Sequence, residues 1–350
     1  MSAAGPSQSA RPLGGKRRAA LPRGDTLHAA WPRIGLGCAT LGTPPPGLSD
    51  RDAEAVIATA IDRGIRFFDV APLYGGGLAE SRLGRMLRGL PRDDYVLCTK
   101  TGVTRPFGEG AIPPGGTQRR ENDVWDYSAA ATRASVQRSL ERLGVERLDV
   151  VHLHDAENHL DACLEAHAAL AALRREGCVG AIGIGSNQAP PVATLLDRAR
   201  FETFLLAGCY TLLTQSGSAL LDRAHALSIR VVAGGVFNSG VLAAWPPPSP
   251  SFDYLPAPAD VLERTRRIAD ICARHGVPLG AAALQFVLAH PAIATVLIGP
   301  RSIAELDQNL AALSCDIPAA LWVELADAGC LPAGSVHPGA TANPEDVHAH

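Results

Sequence analysis

Phe67-Phe68-Asp69-Val70 decides the fold: it is a short apolar run broken by one carboxylate near its end, followed by Ala71-Pro72-Leu73-Tyr74-Gly75 and then by helical periodicity from about Ala79. A run this short bounded by turn residues predicts a buried strand, and the helix after it makes a βα unit. The same order of events recurs along the chain. Strands are predicted at Ile34–Gly37, Phe67–Val70, Tyr95–Thr99, Leu148–Leu153, Val179–Ile184, Thr203–Ala207, Ile229–Ala233 and Ala294–Ile298. Helices are predicted to start at Ser49 or Asp50, near Ala79, at Ser128, near Leu160, near Pro191, near Ser216, near Ala259 and at Ser302. This alternation is the count of a closed α/β barrel, the (β/α)8 TIM barrel. An open doubly wound sheet would carry a GxGxxG fingerprint after its first strand, and none stands there. Ala282–Ala289 is expected to be an extra packing helix.

The composition agrees with one globular barrel. Of 350 residues, 47% are hydrophobic and 19% charged, which excludes a wholly disordered or fibrous chain. The net charge of −3 offers no general reason to bind nucleic acid or an anionic membrane, so the expected partner is a small molecule. Residues 1–30 and 331–350, poor in apolar periodicity, are expected to be flexible tails around a single barrel at 31–330. The eight cysteines form no CxxC pair and are expected to be reduced. No secretory signal or membrane-length apolar run is present, which predicts a cytoplasmic protein.

Two connections are too long to be simple links: Thr101–Tyr127 after strand three and Phe237–Pro258 after strand seven. Loops after barrel strands lie at the C-terminal face, where chemistry is assembled. At that face stand Asp69, Lys100 and His154 at the ends of strands two, three and four, with Tyr74 just beyond strand two. Singly, each has a bland explanation as a turn cap, a surface charge, a core histidine or rim packing. Together on successive strand ends they point to catalysis. A lysine held by an aspartate beside a phenol favours the phenolate, lowering a tyrosine pKa from its ordinary ~10 and making it a usable general acid or base.

Phe-Asp-Val-Ala-Pro-Leu-Tyr-Gly (68–75) with Glu80, then Lys100, Leu-Asp-Val-Val-His-Leu-His (148–154) and Ala-Ile-Gly-Ile-Gly-Ser-Asn (181–187) resemble the aldo-keto reductase superfamily. The resemblance runs from about Ile34 to Leu325. It implies a (β/α)8 barrel with an extended nicotinamide dinucleotide across its mouth, and it matches Asp69, Tyr74, Lys100 and His154 to the catalytic tetrad. It also implies that Ser186 and Asn187 hold the nicotinamide carboxamide, that Tyr210 stacks on the nicotinamide ring, and that the 234–242 run binds the pyrophosphate through Gly235, Phe237, Asn238, Ser239, Gly240 and Leu242. Glycines there allow close backbone approach, and the amides can donate to phosphate. Gly299, Arg301, Glu305 and Asn309 fall at the adenosine end.

Two positions depart from the family pattern. Ala207 stands where a glutamine is usual, and Glu305 replaces another glutamine. Glu305 can accept from an unphosphorylated ribose hydroxyl, whereas Arg301 can bind a 2′-phosphate, so the cofactor is NAD or NADP with a slight lean to NAD. Asp126-Tyr127-Ser128, Cys209-Tyr210-Thr211-Leu212-Leu213 and Gly235-Val236-Phe237-Asn238-Ser239-Gly240 resemble the branch of aldose 1-dehydrogenases acting on D-threo-aldoses or L-fucose, which is also similar to pyridoxal 4-dehydrogenase. That branch implies oxidation of an anomeric hydroxyl to a lactone, with Tyr74 as general acid/base. A general aldehyde or ketone reductase with the same tetrad is the alternative. Trp125 is the candidate for stacking on a substrate, and Asn158 and His159 are candidates for hydroxyl contacts. His152-Leu153-His154 has a metal-ligand spacing but lacks histidine partners on other strands, so no metal is expected.

Overall fold

The computed structural model describes residues 31–43, 47–106, 123–247, 250–253, 255–332 and 334–338. Eight parallel strands close into a barrel. They are β1 Ile34–Gly37, β2 Phe67–Asp69, β3 Val96–Thr101, β4 Leu148–His154, β5 Val179–Ser186, β6 Thr203–Ala207, β7 Arg230–Gly234 and β8 Ile293–Ile298. Sequence neighbours pair throughout, and β1 closes the ring on β8 in the register Ile34↔Val296, Gly35↔Leu297 and Leu36↔Ile298. Outside lie α1 Asp50–Asp62, α2 Leu78–Leu87, α3 Ala129–Leu143, α4 Leu160–Arg175, α5 Ala189–Arg198, α6 Ser218–Ala226, α7 Ala259–Arg274, α8 Leu279–Leu288, α9 Ile303–Leu313 and α10 Ala319–Asp327. The barrel expected from the alternating pattern is the observed fold.

The boundaries differ in an instructive direction. β3 runs to Thr101, β4 to His154, β5 to Ser186 and β7 to Gly234, past the last apolar residue of each run, while β2 stops at Asp69. Strand pairing is a backbone matter, so polar side chains at the mouth do not end it: Thr101 pairs with Leu153, His154 with Gly185 and Ser186 with Leu206. The extra helix before β8 is Leu279–Leu288 rather than Ala282–Ala289, and α10 was not anticipated. Its buried face is only Leu321, Trp322 and Leu325, too narrow a stripe to stand out. Helix starts at serine are as expected, because Ser49, Ser128 and Ser302 each accept a first-turn amide.

The inward residues Phe67, Cys98, Val150, Ala181, Leu205, Val232 and Leu297 form their own cluster, separate from the layer between strands and helices. Trp31 closes this cluster, edge-on to Phe67 at 5.1 Å and beneath the Arg230 guanidinium. Gly35 makes room for it, since a Cβ there would stand 2.6 Å from the Phe67 ring. The C-terminal segment, expected to be flexible from residue 331, is instead packed at its start: Leu331 is buried and the His337 ring stacks on Trp322. Residues 1–30 and 339–350 of the expected tails lie outside the described residues, as does the 107–122 part of the first long loop. No disulfide joins any of the eight cysteines, and all but Cys315 are buried.

No single helix among the described residues is long and apolar enough to cross a membrane. Phe67 is completely buried in the barrel interior. Phe67→Ala should therefore cost about 3–5 kcal/mol, read as a lower denaturation midpoint, with the secondary structure retained below the transition.

Candidate active site

The turn after β2 is built to hold one phenol. Gly75, Gly76 and Gly77 all have positive φ, at 63°, 63° and 99°. At Gly75 a Cβ would collide with the Gly42 carbonyl at 2.1 Å, so only glycine lets the chain turn there. Directly behind, α2 is locked by two buried charges. Arg82 bonds Asp50 and the carbonyls of Leu41, Thr43 and Leu48. Glu80 accepts from Thr99 of β3 at 2.7 Å and from Arg142 of α3 at 2.6 Å. The turn that carries Tyr74 is thus tied to its neighbouring strand and helix.

The four residues expected at the mouth are brought together. Lys100 Nζ lies 2.6 Å from Asp69 Oδ2, 3.0 Å from the Val70 carbonyl and 3.0 Å from the Tyr74 hydroxyl. The His154 ring stands edge-on to Tyr74 at 5.8 Å. All four are buried, with Tyr74 at 9% and His154 at 6% exposure the most accessible. Burial works to lower the Lys100 pKa, but Asp69 and Tyr74 outweigh it and hold the value above that of an ordinary lysine. Burial raises the Asp69 pKa, with Lys100 opposing. His154 is pushed well below the usual histidine value by burial and then by Lys100, with Asp123 opposing, so its ring is neutral at pH 7. Its Nδ1 is buried and has no hydrogen-bond partner among the described residues. This arrangement can move a proton on and off one phenol beside a fixed cation.

His152, one inward position deeper on β4, is fully buried, and both of its ring nitrogens lack a partner among the described residues. It too is held well below the usual histidine value, by burial first and by Lys100 and His154 after it. No group of three or more His, Cys, Asp or Glu side chains suited to a metal occurs among the described residues.

The expected cofactor residues divide. Asn187 is exposed at the end of β5, its amide donating to Glu157 and its carbonyl accepting from Cys209. Ser186 is buried, exchanging hydrogen bonds with the Gln188 backbone. Gly235 is exposed with φ 62°, and Gly299 is exposed ahead of α9. Three expectations need correction. Tyr210 is only 5% exposed, stacked on Phe286 of α8 at 5.2 Å and edge-on to His290, so its ring packs against the outer helix and is not offered to the mouth. The amides of Asn238, Gly240, Val241 and Leu242 donate to carbonyls within the loop, and Leu242 is completely buried, so these groups are not available to a phosphate. Asn238 instead accepts from Thr211 through its side chain, tying the loops after β6 and β7 together. Finally, Glu305 accepts from the Arg301 amide at 2.7 Å and lies 3.7 Å from its guanidinium. The two residues expected to pull in opposite directions are bound to each other. Phe237, Ser239 and Asn309 are half-buried.

Trp125 lies in a two-stranded ribbon, Val103–Thr104 with Val124–Trp125, which opens the loop after β3. Its indole stacks on His159 at 5.1 Å, and the Tyr127 ring packs on His159 at 5.3 Å. One indole face and the His159 ring are therefore spent on joining the loops after β3 and β4. The Asn158 side chain lies outside the described residues. Tyr127 also donates to the His154 carbonyl, and Gly102, with φ 101°, leaves the room its ring needs. Arg105 and Asp123, a buried ion pair beside this ribbon, were not anticipated, because the pair forms only when distant parts of the long loop meet.

The two buried neutral histidines set a pH dependence. An unfolded chain binds their protons near pH 6.5, while the folded one refuses them until much lower pH. The unfolded state then binds more protons, so stability falls as pH drops below about 6.5. His152→Leu should flatten this fall by about one proton, measured as the slope of unfolding free energy between pH 7 and 5.

A model of the Aldo/keto reductase family matches residues 33–328. D-threo-aldose 1-dehydrogenase from Pseudomonas sp is 41% identical over 325 residues, covering 89% of this chain and 98% of that protein. Pyridoxal 4-dehydrogenase from Microbacterium luteolum is 36% identical over 322 residues, covering 85% and 94%. Among solved structures, an aldo-keto reductase from Bacillus halodurans in its holo form matches with a TM-score of 0.68 at 26% identity, over 88% of this chain and 95% of that one. Barrel, buried lysine site and sequence agree: the chain belongs to the aldo/keto reductase family and is an oxidoreductase.

Proposed function

We propose that this chain oxidises the anomeric hydroxyl of an aldose to a lactone with NAD(P), with Asp69, Tyr74, Lys100 and His154 as its catalytic residues. The observation that carries this reading is the 3.0 Å contact between the Lys100 ammonium and the Tyr74 hydroxyl, inside a site that Asp69 keeps charged. Similarity to a D-threo-aldose 1-dehydrogenase supports the substrate class.

The residues at the mouth fit a nicotinamide dinucleotide. Gly235 is exposed at a place where a Cβ would stand 3.0 Å from the Gly208 amide, and Gly299 where one would stand 3.5 Å from the Gly37 carbonyl. Together with exposed Asn187 they line the C-terminal ends of β5, β7 and β8, so an elongated ligand can approach the backbone closely. Asn187 would hold the carboxamide, Gly235 and Ser239 the phosphates, and Gly299 and Arg301 the adenosine end. When bound, the nicotinamide supplies the acceptor for the hydride that leaves C1. Lys100 favours the Tyr74 phenolate, which takes the hydroxyl proton as the C1–O double bond forms. Neutral His154 orients the same hydroxyl without adding a second positive charge beside Lys100. Run in reverse, the step returns a lactone to its hemiacetal; with hydride delivered to an aldehyde carbon instead, the same groups yield an alcohol, Tyr74 donating the proton to its oxygen.

For the ribose, the Arg301–Glu305 contact presents a pair whose charges offset each other. That favours an unphosphorylated 2′-hydroxyl, and NAD is our choice. Glu305→Gln frees the guanidinium and should move the NADP-to-NAD ratio of kcat/KM up roughly tenfold, about 1.4 kcal/mol for one charge-assisted contact.

The test of the central reading is Tyr74→Phe assayed on L-fucose, D-arabinose, pyridoxal and simple aldehydes. Turnover should fall by about 10²–10⁴-fold while dinucleotide binding, followed by protein fluorescence, is kept. Undiminished turnover would overturn the assignment of Tyr74, and activity on simple aldehydes alone would replace the aldose reading with that of a general reductase.

A further inference from the structure

Asn187 stands one residue beyond β5, outside the strand pairing, and side chains from the two neighbouring loops take up both of its backbone groups. Its N–H donates to Glu157 Oε1 at 3.3 Å, in the turn after β4, and its carbonyl accepts from Cys209 Sγ at 3.0 Å, in the loop after β6. The N–H belongs to the peptide before Asn187 and the carbonyl to the peptide after it. Holding both planes fixes φ and ψ, the two soft backbone torsions, and with them the direction of the Cα–Cβ bond. The side chain itself is exposed at the mouth and makes no hydrogen bond to the described residues.

Both clamps sit on anchored backbone. The Asp155 amide donates to the Gly185 carbonyl at 2.8 Å, and its left-handed φ of 49° turns the chain toward β5 ahead of Glu157. The Cys209 carbonyl accepts from Gly217 at 2.8 Å just ahead of α6, and the Gly208 amide donates to the Gly234 carbonyl of β7 at 3.0 Å. Stability alone does not account for Glu157. The buried carboxylates Asp69 and Glu80 are held by Lys100 and Arg142, but no cation pairs with half-buried Glu157 among the described residues. Burial first, and Asp155 after it, push its carboxyl above the ordinary value, with its own amide, the Asn187 amide and Ser186 opposing. Cys209 is kept a donor, because burial holds its thiol above the ordinary value and so protonated at neutral pH.

We infer that Glu157 and Cys209 are positioning residues that aim the Asn187 side chain at the primary carboxamide of the dinucleotide, and so set the orientation of its nicotinamide ring. This rests on the reading of Asn187 as the partner of that carboxamide. A side-chain amide carries both donors and an acceptor, as a primary carboxamide does, so the two can pair through two hydrogen bonds. Ala207, at the end of β6, adds no polar side chain to the same task. A contact made by one side chain needs that side chain held in place, and here the backbone beneath it is fixed from both sides.

The experiment compares binding of NAD with that of ADP-ribose, which lacks the nicotinamide and its carboxamide, by titration of protein fluorescence; if NADP binds tighter, NADP and 2′-phospho-ADP-ribose take their place. Glu157→Ala and Cys209→Ala each remove one clamp, whereas Glu157→Gln keeps an acceptor and Cys209→Ser keeps a donor. Each alanine variant should weaken NAD binding about tenfold, the scale of one lost hydrogen bond, and leave ADP-ribose within about twofold. The Gln and Ser variants should retain most of the NAD affinity. Asn187→Ala should weaken NAD at least as much, and adding Glu157→Ala to it should cost nothing further. Equal losses of NAD and ADP-ribose, or Gln and Ser variants as weak as the alanine ones, would overturn the proposal and leave the reading of Asn187 in place. Unchanged NAD affinity in Asn187→Ala would overturn that reading and the proposal with it. If Glu157→Ala fails to fold, seen as a lowered thermal midpoint with ADP-ribose binding lost, Cys209→Ala decides, since it removes only a sulfur atom.

Discussion

Everything at the mouth depends on a lysine ammonium kept charged inside a barrel. Taking Lys100 out of water is costly, and the structure offsets that cost with three partners at hydrogen-bond distance: the Asp69 carboxylate, the Val70 carbonyl and the Tyr74 hydroxyl. All three come from β2 and the turn after it, next to β3 in the closed sheet. The parallel pairing of β2 with β3 is therefore a condition for the cation, and the cation is what the Tyr74 hydroxyl meets at 3.0 Å. The left-handed glycines at 75–77 and the Glu80 bridge from Thr99 to Arg142 serve the same end, because a shift of the turn would separate Tyr74 from Lys100.

Around this centre the two sides of the mouth do different work. On the β5, β7 and β8 side, exposed glycines and Asn187 leave backbone accessible, which suits a long ligand lying across strand ends. On the β3 and β4 side, the Trp125–His159–Tyr127 stack and the Arg105–Asp123 pair close the wall with side chains. One wall thus presents backbone, through its exposed glycines, and the other an aromatic stack and a buried ion pair.

Much of this was legible in the sequence. Each barrel strand is an apolar run with turn residues after it, and Asp69, Lys100 and His154 follow such runs at the same end, so their convergence was predictable once the barrel was. The serine caps at Ser49, Ser128 and Ser302 were equally readable, since capping is local. What escaped depended on partners far away in the chain. Tyr210 was expected to face the cofactor, yet its ring found Phe286 and His290 on the outer side of the barrel wall. Glu305 and Arg301 do not act separately on a ligand, because an i, i+4 spacing at a helix start brings them together. Helix α10 was missed because its buried stripe is narrow, and the Arg105–Asp123 pair because a long loop must fold back to form it.

The sequence by itself determined the barrel and the end of it at which Asp69, Tyr74, Lys100 and His154 meet. Hydrophobic periodicity and the position of charges relative to apolar runs are local properties that survive in one dimension. The tertiary structure decided which polar groups remain open to a ligand and which are spent on the protein. Burial and pairing are set by side chains from distant segments, so the packing of Tyr210 against Phe286 and His290, the contact of Arg301 with Glu305 and the burial of the Arg105–Asp123 ion pair became definite only when the ring of strands had closed.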